Sequence, residues 1–176
     1  GVGLDEADLA ATLGTIAKSG TTSFLQEMQE TSDAKSAAQT LIGKFGVGFY
    51  SAFMVAEKVE VVTKKAGTSE VWAWVSDGQT GYNIDKSSED IPVGTVVRMF
   101  LKKDAKEYLD EAKIRSLIQK YSDHISIPIN IENKDGETEQ INSTEALWTR
   151  SPQDISTEEY NKFFNRQFST YDDPFI

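Results

Sequence analysis

Ile42-Gly43-Lys44-Phe45-Gly46-Val47-Gly48-Phe49-Tyr50 is the stretch on which the reading of this chain turns. Three glycines fall within six residues, no proline stands among them, and an apolar run from Phe49 to Val55 follows directly. Glycine admits positive φ and lets another group come close to the backbone. A glycine-rich turn that opens a helix also aims free N–H groups outward, at the positive end of the helix dipole. That is a ready seat for phosphate. The same residues serve equally well as a tight turn before a buried helix, because an isolated glycine motif has low specificity. The sequence on either side has to decide.

Composition narrows the field first. At 176 residues the chain has room for one ordinary domain and a piece of another. With 39% hydrophobic and 26% charged residues it reads as globular. A formal net charge of −10 argues against a nucleic-acid backbone as the main partner. It leaves room for a nucleotide held by backbone N–H groups and one or two lysines. Cysteine is absent, so disulfides and thiolate metal sites are excluded, in keeping with a reducing cytoplasm. His124 is the only histidine, and a histidine-built zinc site or a Ser-His-Asp triad would have to use it. Its setting beside an expected strand suits a packing or surface role. No apolar run approaches the ~20 residues needed to cross a bilayer. The chain starts at Gly1 without a recognisable signal peptide, and its abrupt ends suggest a piece of something longer.

In chain order, Gly1-Val2-Gly3-Leu4 reads as the tail of a glycine turn. Asp5 is placed to cap a short helix through Leu13, with Asp8 in the capping-box position. Helix is expected again over Thr15 to Ser19 and from Ser23 to about Glu30. Thr31 to Thr40 is polar and alanine-rich. It is either a lid between two glycine turns or an ordinary solvated connector. Beyond the glycine loop, Tyr50 to Val55 is expected as a buried helix. Val59 to Thr63 and Glu70 to Val75 alternate as strands and should pair as a hairpin, with Trp72 and Trp74 on one face. Tyr82 to Ile84 is a short strand and Val96 to Leu101 a strong one, with Gly94 marking a close backbone approach. A helix capped by Asp104 is expected to run to about Tyr121, with Ile114, Leu117, Ile118, Tyr121 and Ile125 as its core face. Ile125 to Ile131 is read as a strand, edged or ended by Pro128, and Asn133 to Gly136 as a hairpin turn or short linker. Ser156, with Glu159 in the capping-box position, should open a helix to about Phe168 whose aromatics at 160, 163, 164 and 168 share a face.

Several motifs now stand in one order: Gly1-Val2-Gly3, Leu13-Gly-Thr-Ile-Ala-Lys-Ser-Gly20, Ile42 through Phe53, and Gly94-Thr95 before a strand. Together they resemble the 90-kDa heat shock protein family of molecular chaperones, and within it the bacterial type. Ala146-Leu-Trp-Thr-Arg150 and Glu158-Glu-Tyr160 resemble the opening of that family's middle domain, and the linker is short, as in the bacterial branch. The resemblance implies an α+β fold, the two-layer ATP-binding sandwich shared with gyrase B, MutL and histidine kinases (the GHKL type). In it a mixed, mostly antiparallel sheet carries helices on one face. Residues 1–133 would be the C-terminal part of the ATP-binding domain, with a lid at about 14–48. Residues 134–142 would be the linker, and 143–176 the start of the middle domain.

The resemblance also implies roles. Gly1 and Gly3 would lie near the adenine and Leu4 beside the base. Thr12 and Leu13 would border the site. Lys18 would reach the phosphates, and Ser19 and Gly20 would continue its motif. Gly46, Val47 and Gly48 would offer N–H groups to the phosphates, with Phe49 next to them. Thr95 would hydrogen-bond near the adenine through water, and Val61 and Trp74 would line the apolar end. ATP or ADP and Mg²⁺ are the implied cofactors. Client proteins and a second copy of the full-length chain are the implied partners, in the cytoplasm, with neither nucleic acid nor membrane. Thr12 stands where the family often has asparagine. The aspartate, asparagine and catalytic glutamate of the family would lie before Gly1, and the middle-domain arginine after Ile176. The parent is therefore expected to be an ATPase, and this piece, with no catalytic residue or metal ligand of its own, inactive alone. Two alternatives stay open: a DNA-handling ATPase of the same fold, and a non-catalytic interaction module with a decayed nucleotide site.

Overall fold

The computed structural model describes residues 1–14, 48–143 and 151–168. The helices expected over Thr15 to Ser19 and Ser23 to Glu30, the polar stretch Thr31 to Thr40 and the glycine loop through Val47 lie outside them. The chain divides into two compact units, Gly1–Lys106 and Glu107–Ile176, and its architecture is α+β.

The first unit is built on a four-stranded antiparallel sheet. Its strands are β1 (Ala56–Lys64), β2 (Val71–Ser76), β3 (Tyr82–Lys86) and β4 (Gly94–Leu101), in the order β3-β2-β1-β4. The β-branched run from Val59 to Thr63 sits at the centre of β1, where both neighbours complete its hydrogen bonding. Register sorts the side chains by face. Val61 lies opposite Trp74 on one side and Val97 on the other, and Thr63 opposite Trp72 and Thr95. These residues share a face, since side chains alternate along each strand.

Helix α1 (Glu6–Thr12) packs there. Leu9 is wholly buried with Ala56, Val59, Val61 and Trp74, and Leu4, Leu13, Phe49 and Phe53 close around them. Burying Leu9 contributes about 1.5–3 kcal/mol. The opposite face buries Val62 and Val71 under Ile91. Arg98 clamps that side of β4, donating to Glu60 at 3.1 Å and to both carboxylate oxygens of Glu89 at 2.8 and 2.6 Å.

The helix expected over Tyr50 to Val55 is shorter and wetter than its apolar run implies. A 3-10 turn, Gly48–Ser51, runs into the single turn α2 (Ala52–Val55), and none of these residues is fully buried. Strand β1 begins at the very next residue, so one flank meets the sheet while Met54 faces outward, 78% exposed.

The helix expected from Asp104 to about Tyr121 is not one helix. A 3-10 segment, Lys103–Leu109, precedes α3 (Glu111–Tyr121). The break is at Asp110, whose extended backbone and side chain, accepting from the Ala112 N–H at 3.1 Å, start the helix afresh. Ile114, Leu117 and Ile118 are half-buried, but Tyr121 is 70% exposed and is not part of a core face. The strand expected over Ile125 to Ile131 is reduced to β5 (Asn130–Glu132), which pairs with β6 (Thr138–Gln140). Asn142 explains the loss. Its buried amide donates to the carbonyls of Ile125 and Ile127 at 2.9 and 3.0 Å and accepts from the Ile129 N–H at 2.8 Å. A side chain thus takes the groups that a neighbouring strand would use. Asn133 to Gly136 forms the hairpin turn, with the Asn133 side chain accepting from the Asp135 and Glu137 N–H groups. Helix α4 (Thr157–Phe168) opens as expected, with Ser156 and Glu159 bonded reciprocally. The His124 ring packs on Phe163, centroids 5.6 Å apart.

Candidate nucleotide-binding site

The segment that enters α1 is tied to the sheet at every step. Gly3 has φ +72°, and a Cβ there would fall 1.9 Å from the Lys64 carbonyl oxygen. Only glycine fits both the conformation and the space. The Ala66 N–H donates to the Val2 carbonyl at 2.7 Å, and the Leu4 N–H to Thr63 Oγ1 at 2.9 Å. Asp5 and Asp8 form a capping box, at 2.9 and 3.1 Å. Lys65 Nζ bridges both carboxylates, at 2.6 and 2.7 Å. The Lys65 bond, then the Asp8 N–H, hold the Asp5 carboxyl below its ordinary range, and the two carboxylates in turn hold the Lys65 ammonium well above its own.

Thr63 is the residue that sequence reasoning missed. It has no exposed surface, and its hydroxyl lies 3.0 Å from the Gly94 carbonyl and 2.9 Å from Thr95 Oγ1. The available signal was a polar residue at an inward position of a strand, in step with Val59 and Val61. A buried hydroxyl there has to find partners. Gly94 is held by its backbone, φ +142°, and not by the close approach expected from the sequence: a Cβ there would meet the Gly1 carbonyl oxygen only at 4.0 Å, an ordinary contact distance. Gly1 and Gly3 thereby stand next to the Thr63–Thr95 pair, and Thr95 is exposed.

Leu4, Leu13, Phe49, Val61 and Trp74 meet in one apolar cluster. Phe49 sets its edge to Trp74 at 5.5 Å, and Tyr82 stacks on the indole at 6.0 Å. Tyr50 donates to the Leu13 carbonyl at 2.9 Å. Desolvation, and then Tyr82, push its phenol up. Trp74 is 2% exposed, yet its Nε1–H has no acceptor among the described residues. The Thr12 hydroxyl is turned back on its own helix, donating to the Asp8 carbonyl at 2.6 Å. Among the described residues a Cβ on Gly48 would meet nothing within 4 Å. Lys18, Ser19, Gly20, Gly46 and Val47 lie outside the described residues.

A concavity of about 310 Å³ at the β2–β3 turn, lined by Lys58, Asp77, Thr80 and Tyr82 among others, contains none of the candidate nucleotide-binding residues. Among the described residues no group of three or more histidines or carboxylates is arranged to hold a metal ion, and no helix is long and apolar enough to cross a membrane.

Known proteins resemble this chain along almost all of it. It is 47% identical over 174 residues to the chaperone protein HtpG of Roseobacter denitrificans, covering 99% of this chain and 27% of the relative. Against HtpG of Borreliella afzelii the identity is 44% over 188 residues, covering 100% and 30%. Against that of Rhodospirillum rubrum it is 42% over 174 residues, covering 99% and 28%. The chain thus spans between a quarter and a third of the length of these relatives. A family model described as Hsp90 protein matches residues 130–176. Identity sustained from the glycine turn at Gly1 to the last helix, with the family model joining it at the C-terminal end, establishes that this chain belongs to the Hsp90 family.

Proposed function

We propose that this chain is part of an ATP-dependent molecular chaperone that assists folding and remodelling of client proteins in the cytoplasm. In this reading the first unit belongs to a nucleotide-binding domain of the GHKL type, and residues from about 143 open the middle domain. The observation that carries the reading is the convergence of Leu4, Leu13, Phe49, Val61 and Trp74 from separate stretches of sequence, beside Thr95 and two glycines. The relatives, all chaperones by name, weigh against a DNA-handling ATPase.

The roles follow from the chemistry of each group. Leu4, backed by the buried Val61 and Trp74, gives an apolar surface for a base, and Thr95 gives a hydrogen-bonding group at its rim. Gly1 brings no side chain to the entrance, and Gly3 lets the segment pack directly against Lys64. Gly46, Val47 and Gly48 turn N–H groups toward phosphate, Lys18 adds a cation, and the segment over 14–48 closes as a lid. One feature supports a ligand here: the buried Trp74 Nε1–H lacks an acceptor among the described residues. ATP, with Mg²⁺ on its phosphates, would supply the free energy that drives closure and reopening. The general base and metal ligands would come from other parts of the full-length protein, which would work as a homodimer. Clients, in place of nucleic acid or membrane, would be its macromolecular partners.

The test is ATP turnover by the intact protein carrying Gly48→Asp. Since a side chain at Gly48 meets none of the described residues, the melting temperature should hold. A carboxylate facing phosphate should abolish turnover. Turnover at the wild-type rate would contradict the assignment of this loop.

A further inference from the structure

We infer that Asp135-Gly136 is a modification site, where the aspartate isomerises through a cyclic imide to isoaspartate and makes the β5–β6 turn a substrate for a carboxyl methyltransferase that uses S-adenosylmethionine. Asp-Gly occurs twice in the chain, at 77–78 and at 135–136. In such a pair the glycine nitrogen can attack the aspartate Cγ, because glycine brings no Cβ to hinder it. The N–Cγ bond forms, the nitrogen gives up its proton, and a carboxyl oxygen leaves as water. Water then opens the five-membered ring at either carbonyl. Addition at the former Cγ restores aspartate. Addition at the main-chain carbonyl leaves the chain running through Cβ and Cγ, one atom longer, with the α-carboxylate as a side group. No co-reactant beyond water is needed.

The two pairs share a sequence and differ in how the fold holds them. The Asp77 carboxylate accepts from the Gln79 and Thr80 N–H groups and from the Thr80 hydroxyl, each at 2.8 Å. These bonds, that of the Thr80 N–H first, hold the Asp77 carboxyl below its ordinary range, and the ionised form is the poorer electrophile. The Gly78 N–H is taken by Ser76 Oγ at 3.0 Å. Gly78 also packs on the Phe53 ring, where a Cβ would fall at 2.7 Å. Neither reacting group is free to turn. At the second pair, Asp135 is exposed and its carboxylate has no partner among the described residues. A Cβ on Gly136 would meet nothing among them within 4 Å. Rotation about the Asp135 Cα–C bond brings the Gly136 nitrogen to Cγ. The first bond it breaks is that of the Gly136 N–H to the Asn133 carbonyl, at 3.1 Å.

The product alters more than one residue. The turn sets the register that pairs Asn130 with Gln140 and Glu132 with Thr138. An extra main-chain atom misfits a turn whose N–H groups at 135 and 137 converge on Asn133 Oδ1. Arg115 ties β6 to α3 through Glu139 at 2.8 Å, so a slip of β6 reaches the helix. The α-carboxylate of isoaspartate is the handle for the enzyme. A methyl group passes from the sulfonium to a carboxylate oxygen. The glycine nitrogen then attacks the ester, methanol leaves, and the imide that forms opens in part to aspartate.

The experiment ages the intact protein at neutral pH, folded and in urea. Isoaspartate is mapped by electron-driven fragmentation of its peptides and by methyl uptake from labelled S-adenosylmethionine with an isoaspartyl methyltransferase. In the folded protein the Asp135 peptide should gain isoaspartate at least about tenfold faster than the Asp77 peptide, the least that three hydrogen bonds on one carboxylate are worth. The same peptide should take up methyl groups. Asp135→Glu should abolish both signals there, since glutamate would have to close a six-membered ring. The amides of Asn133 and Ile141, which bond across the hairpin at 2.9 Å each, should exchange faster in the aged protein. In urea the two sites should convert alike. Equal rates in the folded protein, or no gain at Asp135 while the urea sample converts, would overturn the inference. So would a lag at Asp77 that persists in urea, because it would belong to the flanking sequence and not to the fold. Unchanged exchange at Asn133 and Ile141 would overturn the claimed effect on the hairpin.

Discussion

Gly3 is held by two constraints, a positive φ and a carbonyl oxygen where a Cβ would sit. Gly3→Ala should therefore cost about 1–3 kcal/mol, read as a lower midpoint in urea, through both strain and displacement of Lys64. A midpoint equal to wild type would show that the turn relaxes freely. Asp5 carries a pH dependence. Its carboxyl is lowered by Lys65 and the Asp8 N–H, so its contribution is complete above its ordinary value of 3.8 and is lost as pH falls through the lowered folded value. Asp5→Asn keeps the cap geometry and deletes the charge. The gap in melting temperature between wild type and this variant should be open at pH 7 and close as pH falls below about 4. A gap constant across that range would mean that Lys65 adds nothing to the cap. Both glycine and cap were readable, because each imposes a residue type at a position. Thr63 was not, since threonine is common in strands for its shape alone and nothing local marks its hydroxyl as a junction.

At the scale of elements, sequence periodicity served strands better than helices. The hairpin β1–β2 stands where alternation put it, and β4 where its β-branched and apolar run put it. The split at Asp110 was hidden, because the apolar positions on α3 suggest one helix reaching back past it. The lost strand over Ile125 to Ile131 was hidden for another reason. A single side chain, Asn142, 13 to 17 residues further along the chain, takes over its backbone groups. Asn142→Leu would leave two carbonyls and one N–H without those partners. It should destabilise the second unit by about 2–4 kcal/mol and release the amide of Ile129 to fast hydrogen exchange. Unchanged exchange at Ile129 would show that another group replaces the amide.

Across the whole molecule, motif order carried more than any single motif. The glycine loop alone had a plain alternative as a turn, and the other motifs around it pointed to a chaperone family to which the chain belongs. What the motifs could not supply was the manner of assembly: Leu4 and Val61 come together only because antiparallel pairing and the Gly3 turn fold them there. The most direct test of a nucleotide on this face is a crystal structure of the intact protein with ADP. The adenine is expected against Leu4, on the side backed by Val61 and Trp74, within one water of the Thr95 hydroxyl, with the phosphates toward Gly48. A nucleotide bound instead in the concavity at Lys58 and Asp77, or none at saturating ADP, would contradict it.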